Sequence, residues 1–90
     1  MRYIIVIDAN SAAGAIYAKG SNDGFITDGH VQHPVLDCTE IETSSPYYIF
    51  AKRSLNAVGE SHQSLYLPHG SVVMVVGYAD EQGRPVGFVR

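Results

Sequence analysis

The chain has 90 residues, of which 46% are hydrophobic and 17% are charged, and its formal net charge is -3. This length predicts a single domain over residues 1–90 with a modest core, and the hydrophobic fraction excludes a disordered chain. The few cationic residues are scattered without a basic stripe, so direct nucleic-acid binding is not expected, and no apolar run is long enough to span a membrane.

Residues 2–8 predict the first strand of a sheet. Successive apolar residues place side chains on both faces, so we expect a central strand that is buried on both sides. Asp8 interrupts the run too early for the apolar region of a signal peptide. The strand is expected to lie next to the apolar segment at residues 72–78.

Residues 9–20 fit two structures. A helix would have Asn10 or Ser11 as its N-cap and Gly20 after its end, and Gly14 within it costs roughly 1 kcal/mol relative to alanine. The alternative is a strand at residues 15–19 that pairs with residues 25–27. Alanine is a poor strand former, which favours the helix.

Residues 27–45 are mostly polar and predict a long irregular loop that ends before Pro46. Loops of this length are uncommon in a small domain and are often functional. After it we expect a strand at residues 47–51, a short helix or turn at 54–63, and a short strand at 64–67.

The C-terminal part predicts a β-hairpin. The β-branched run at residues 72–78 indicates a central strand with both faces buried, the polar residues 80–83 indicate a turn, and Pro85 opens a last strand at the edge of the sheet. The expected fold class is α+β, with a mainly antiparallel sheet of four or five strands and one short helix after strand 1. An all-β fold is the alternative.

A cluster of metal-ligand residue types lies at Asp28, His30, His33 and Cys38. The spacing matches no zinc signature and no second cluster accompanies it, so His30, His33 and Cys38 are weak candidates and no metal or cofactor is expected. The alternative function is a small metal- or thiol-dependent enzyme that uses these three residues. Against a thiolate nucleophile, Asp37 and Glu40 would raise the thiol pKa.

No motif for nucleophilic catalysis or phosphate binding is present, so no catalytic residue is assigned. Cys38 is the only cysteine, which excludes an internal disulfide and favours the reducing cytosol.

The low charge and six tyrosines are typical of a macromolecular contact surface. The alternative, which is favoured for most of the tyrosines, is that they fill the small core with their hydroxyls at its rim. We expect a small noncatalytic protein that binds and modulates or inhibits another macromolecule, with a phage or mobile-element accessory protein acting on a host enzyme as one such role. The expected partner is another protein with a basic surface, and the oligomeric state is left open. The predicted binding residues are Tyr47, Tyr48, Asp37, Glu40 and Glu42.

Overall fold

The computed structural model describes residues 2–55, 61–79 and 84–85. In chain order the elements are β1 (Arg2–Ile7), α1 (Ala12–Ala18), β2 (Phe25–Asp28), β3 (Val31–Cys38), β4 (Glu40–Glu42), β5 (Tyr48–Ser54), β6 (His62–Pro68), a 3₁₀ turn (His69–Ser71), β7 (Val72–Ala79) and β8 (Arg84–Pro85).

The strands form two antiparallel sheets. The larger has the order β2-β3-β1-β7-β8 and the smaller has the order β4-β5-β6. The α+β class with one short helix after strand 1 is confirmed. The strands divide between two sheets, whereas the sequence predicts one.

β1 is the central strand of the larger sheet, between β3 and β7, as predicted. Ile5 and Ile7 on one face are 0% exposed and Val6 on the other is 1% exposed, so both faces are buried. Ile5 lies opposite Leu36 of β3 and Val75 of β7.

β7 is less buried than its apolar run predicts. The register with β1 shifts between Val6 and Ile7, which pair with Met74 and Val72 and leave Val73 as an extra residue in β7. Such a bulge removes one residue from the regular alternation. Val73 is 50% exposed and Met74 is 45% exposed.

The two sheets share one hydrophobic core. It joins side chains from β1 and β3 of the larger sheet to side chains from β5 and β6 of the smaller sheet: Ile5, Ile7, Leu36, Cys38, Ala51, Leu65 and Leu67. Ala13 and Tyr17 of α1 pack against this cluster. The helix and the smaller sheet therefore cover the same face of the larger sheet.

The helical structure of α1 follows from its N-cap. The Ser11 hydroxyl accepts a hydrogen bond from the Gly14 N–H at 3.0 Å and donates one to the Asp8 carbonyl at 2.7 Å. This satisfies a backbone donor that the first helical turn leaves free. The helix prediction is confirmed over the rival strand at residues 15–19.

The long loop predicted at residues 27–45 is wrong. β2 and β3 form a hairpin across Gly29 and His30, with Gly29 at a φ of 64°, and β4 follows immediately after Thr39. The loop was predicted because these strands carry polar residues on their solvent side, and polar residues are typical of loops. Pro34 is tolerated because β3 pairs with β1 only from Val35 onward.

Two predictions fall partly beyond the described residues. The turn at 80–83 and most of the last strand lie outside them, although Arg84–Pro85 does pair with β7 at the sheet edge. Of the predicted helix or turn at 54–63, the ends belong to β5 and β6, and residues 56–60 lie outside the description.

Candidate binding face

The outward side of the smaller sheet carries exposed aromatic side chains. The pairings place Phe50 opposite Tyr66 and Glu42, and Lys52 opposite Glu40. Residues opposite each other share a face of the sheet, and the intervening Ile49 and Ala51 point into the core. We call this side the aromatic face; it comprises Glu40, Glu42, Tyr48, Phe50, Lys52 and Tyr66.

On the aromatic face, the Tyr66 ring contacts the rings of both Tyr48 and Phe50. The Tyr48 and Tyr66 centroids are 5.1 Å apart with an interplanar angle of 86°, and those of Phe50 and Tyr66 are 5.2 Å apart at 56°. Edge-to-face contacts of this kind are favourable beyond the area that they bury. Tyr66 remains 61% exposed and Tyr48 40% exposed. The rings are therefore ordered by each other while they stay accessible to a partner.

Tyr47 directly precedes β5 and is 79% exposed. His69 holds the segment before it: its Nε2 lies 2.8 Å from the Ser45 carbonyl, and its N–H donates to the Tyr47 carbonyl at 3.4 Å. Both tyrosines are accessible, because Tyr47 precedes the strand and Tyr48 points outward from it. Alternation of side chains within a single strand would have exposed only one of the two.

The acidic residues of β4 give one side of the aromatic face a negative charge. The Ser44 hydroxyl and N–H donate to Glu42 and lower the pKa of its carboxyl. Within the described part of the chain no cation lies within ion-pair distance of Glu42, whereas Glu40 is 3.9 Å from the Lys52 ammonium. Lys52 therefore offsets one of the two acids.

Asp37 does not share this face with Glu40 and Glu42, the acidic residues with which the sequence grouped it. It lies on β3 of the larger sheet, where its carboxylate accepts from Arg2 Nε at 3.0 Å and from the Tyr78 hydroxyl at 2.9 Å. The Asp37 hydrogen bond raises the pKa of Arg2, and burial raises the pKa of Tyr78. Asp37 thus ties together the three neighbouring strands β1, β3 and β7.

The weak metal candidates do not converge. His30 is exposed in the β2–β3 turn, and His33 Nδ1 accepts a hydrogen bond from the Ala9 N–H at 3.0 Å. Cys38 lies five positions along β3 from His33, so the two point to opposite faces and are about 17 Å apart along the strand. Among the described residues no group of three or more histidine, cysteine or acidic side chains is placed to hold a metal ion.

Cys38 is a core residue. It is 0% exposed, and desolvation raises the pKa of its thiol to about 11. The thiol is therefore protonated at neutral pH, whereas a cysteine nucleophile must be a thiolate. This arrangement offers nothing to the alternative of a thiol-dependent enzyme.

Phe50, Tyr66 and Lys52 were missed as site residues in the sequence analysis. Their signal was the alternation in Tyr48-Ile49-Phe50-Ala51-Lys52 and in Ser64-Leu65-Tyr66-Leu67, which places the aromatic residues on one face of two strands. Neither segment alone shows that the two strands are neighbours or that their aromatic residues are in register.

A second feature lies at the end of α1, where an open pocket of about 370 Å³ is lined by Ile16, Tyr17, Lys19, Gly20, Ser21 and Gln63. Nearby, the buried Arg53 donates to the Ser21 carbonyl at 2.6 Å and lies 3.8 Å from Asp23. Arg53 thus anchors the connection between α1 and β2 to the smaller sheet.

None of the helices in the described residues has the length and apolar character needed to cross a bilayer. The chain matches no protein-family model, no curated protein and no solved structure at a significant level.

Proposed function

We propose that this protein is a noncatalytic binding protein whose aromatic face docks on a basic patch of another protein. The observation that carries the proposal is the ring cluster in which Tyr66 contacts Tyr48 and Phe50 and both tyrosines are exposed. Tyrosine is enriched among the residues that dominate protein interfaces, because it offers a large contact area and few rotors to immobilise.

The charges select the class of partner. Glu40 and Glu42 flank the rings, and the only cation in the face, Lys52, lies near Glu40. Proteins that stack nucleic-acid bases on aromatic side chains also supply cations to the phosphates. Acidic residues in that position oppose a phosphate backbone and favour lysine or arginine side chains, so a basic protein surface is the better partner.

Such docking would regulate the partner by covering its surface. Modulation or inhibition of an enzyme, including a host enzyme met by a phage or mobile element, is the role that suits a small chain of this kind. The single buried cysteine suits the reducing cytosol as its place of action.

The test first captures a partner from cell lysate with the wild-type protein. The purified partner is then titrated with variants of the aromatic face, and their dissociation constants are compared. Tyr66→Ala and Tyr48→Ala should each weaken binding about tenfold or more, since central interface tyrosines contribute at least about 1–2 kcal/mol. Phe25→Ala is the matched control, because Phe25 is 43% exposed and lies on β2 of the other sheet.

Charge supplies the second arm of the test. Glu40→Gln with Glu42→Gln should weaken binding and flatten its salt dependence, since exposed charges are screened within about 10 Å at 0.1 M salt. Equal binding by wild type and the tyrosine variants, all stably folded, would show that this face is not the interface. Binding of a single-stranded oligonucleotide that depends on Tyr66 would replace the protein partner with a nucleic acid.

A further inference from the structure

The outer edge of β6 has a backbone ready to pair with another strand. Among residues 2–55, 61–79 and 84–85, β6 is the last strand of the β4-β5-β6 sheet, and no described strand pairs with its other side. The Leu55 N–H donates to the Ser61 carbonyl at 2.8 Å. The residues of β6 whose backbone groups bond to β5 are therefore the odd-numbered ones, Gln63, Leu65 and Leu67. Since pairing alternates along an antiparallel ladder, the N–H and C=O groups of His62, Ser64 and Tyr66 point away from β5.

This edge lacks the usual protection against pairing. Natural edge strands are commonly short, bulged or charged. β6 runs for 7 residues, pairs with β5 in unbroken register from His62 to Pro68, and contains no lysine, arginine, aspartate or glutamate. Pro68 interrupts the row of donors only at its end. His62, Ser64 and Tyr66 are all exposed, which leaves the edge open to a partner.

Apolar surface lies beside the edge. Ile16 of α1 is 67% exposed and shares the open pocket with Gln63 of β6. A strand added to β6 would cover this side as well as the row of backbone groups. Ladder hydrogen bonds and apolar burial would then act together in one contact.

We propose that two copies of this chain associate through antiparallel pairing of their β6 strands. The register centred on Ser64 is self-complementary: Ser64 faces Ser64, and Tyr66 faces His62 of the other copy, so every outward N–H from His62 to Tyr66 finds a carbonyl. A small side chain lies at the two-fold axis. The uncharged edge also lets two chains of net charge -3 meet without local repulsion.

This inference is independent of the proposed function. If both hold, the dimer joins the two smaller sheets into one and places two aromatic faces on a continuous surface. Sedimentation analysis of the pure chain needs no partner, so either idea can fail without the other.

The first experiment is analytical ultracentrifugation from about 1 μM to about 1 mM, a range over which a moderate dimer dissociates on dilution. Wild type should dimerise. Ser64→Pro removes the central donor at an edge position where the fold does not use it, and Ser64→Lys places two like charges at the axis, so each should raise the dimer Kd about tenfold or more. Thr27→Lys, on the exposed β2 edge, should leave the Kd unchanged.

The second experiment is amide hydrogen exchange measured by NMR at the two ends of this range. The amides of His62, Ser64 and Tyr66 should gain protection in the concentrated sample, while those of Gln63, Leu65 and Leu67 are protected in both. A wild type that stays monomeric overturns the proposal. So does a dimer that folded Ser64→Pro and Ser64→Lys variants retain, or one in which the three outward amides exchange equally at both concentrations.

Discussion

At the scale of single residues, Gly14 shows how packing can reverse a local preference. Within an isolated helix a glycine is destabilising by roughly 1 kcal/mol relative to alanine. In this fold a Cβ at position 14 would clash with the Asp8 carbonyl oxygen and would lie 2.9 Å from the Ala9 Cα. The helix therefore approaches the end of β1 more closely than any other residue would permit.

We predict that Gly14→Ala lowers the free energy of unfolding by about 1–3 kcal/mol, since the backbone it meets must move. Urea denaturation followed by circular dichroism measures this. Ala15→Gly, at an exposed site of the same helix, is the control and should cost about 1 kcal/mol through propensity alone. A Gly14→Ala variant more stable than wild type would mean that the close approach is absent.

At the scale of elements, Val73 and Val75 of β7 differ in how far they are buried. Val75 lies opposite Ile5 and packs against the core, whereas Val73 is the bulged residue and is 50% exposed. The uniform run of β-branched residues hides this contrast. It arises because the bulge turns the start of the strand away from the regular alternation.

Val75→Asp should destabilise the protein by about 3 kcal/mol or more, because it places an unpaired carboxylate against the core. Val73→Asp introduces the same group at a half-exposed site and should cost less than about 1 kcal/mol. Thermal unfolding monitored by far-UV circular dichroism compares the two. Equal melting temperatures for both variants would contradict the assigned register between β1 and β7.

At the scale of the whole molecule, the buried Cys38 thiol and Tyr78 hydroxyl make the folded state less stable as the pH becomes alkaline. Burial raises the pKa of Cys38 from 9.0 to about 11, and it raises the pKa of Tyr78 as well. Below pH 9 the thiol is protonated in both folded and unfolded chains, so it adds no pH dependence. Above pH 9 the unfolded chain releases its proton first, and the folded state loses stability until about pH 11.

For Cys38 this loss amounts to roughly 2 kcal/mol between about pH 8 and about pH 10.5. Urea titrations at the two pH values measure it. Cys38→Ala should be less stable at pH 8 because it leaves a cavity, yet its stability should fall less steeply with pH. The same alkaline decrease in wild type and variant would show that the Cys38 thiol is not desolvated in the folded protein.

The sequence by itself determined the features that depend on local chemistry. The continuous apolar run at residues 3–7 and the β-branched run after residue 72 predicted neighbouring strands, and Ser11 ahead of an alanine-rich segment predicted the helix. The sequence also predicted that one of Tyr47 and Tyr48 points away from the core. Each of these follows from hydrophobic periodicity or from the capping of backbone donors, and both act over a few residues.

Only the tertiary structure decided which distant residues meet. Polarity suggested that Asp37, Glu40 and Glu42 form one acidic surface, but the chain changes sheets at Thr39, so Asp37 pairs with Arg2 and Tyr78 while the two glutamates flank the rings. Tyr66 joined Tyr48 and Phe50 through the register of β5 and β6. Register and sheet membership are set by the burial of the whole inner face, which no short segment contains.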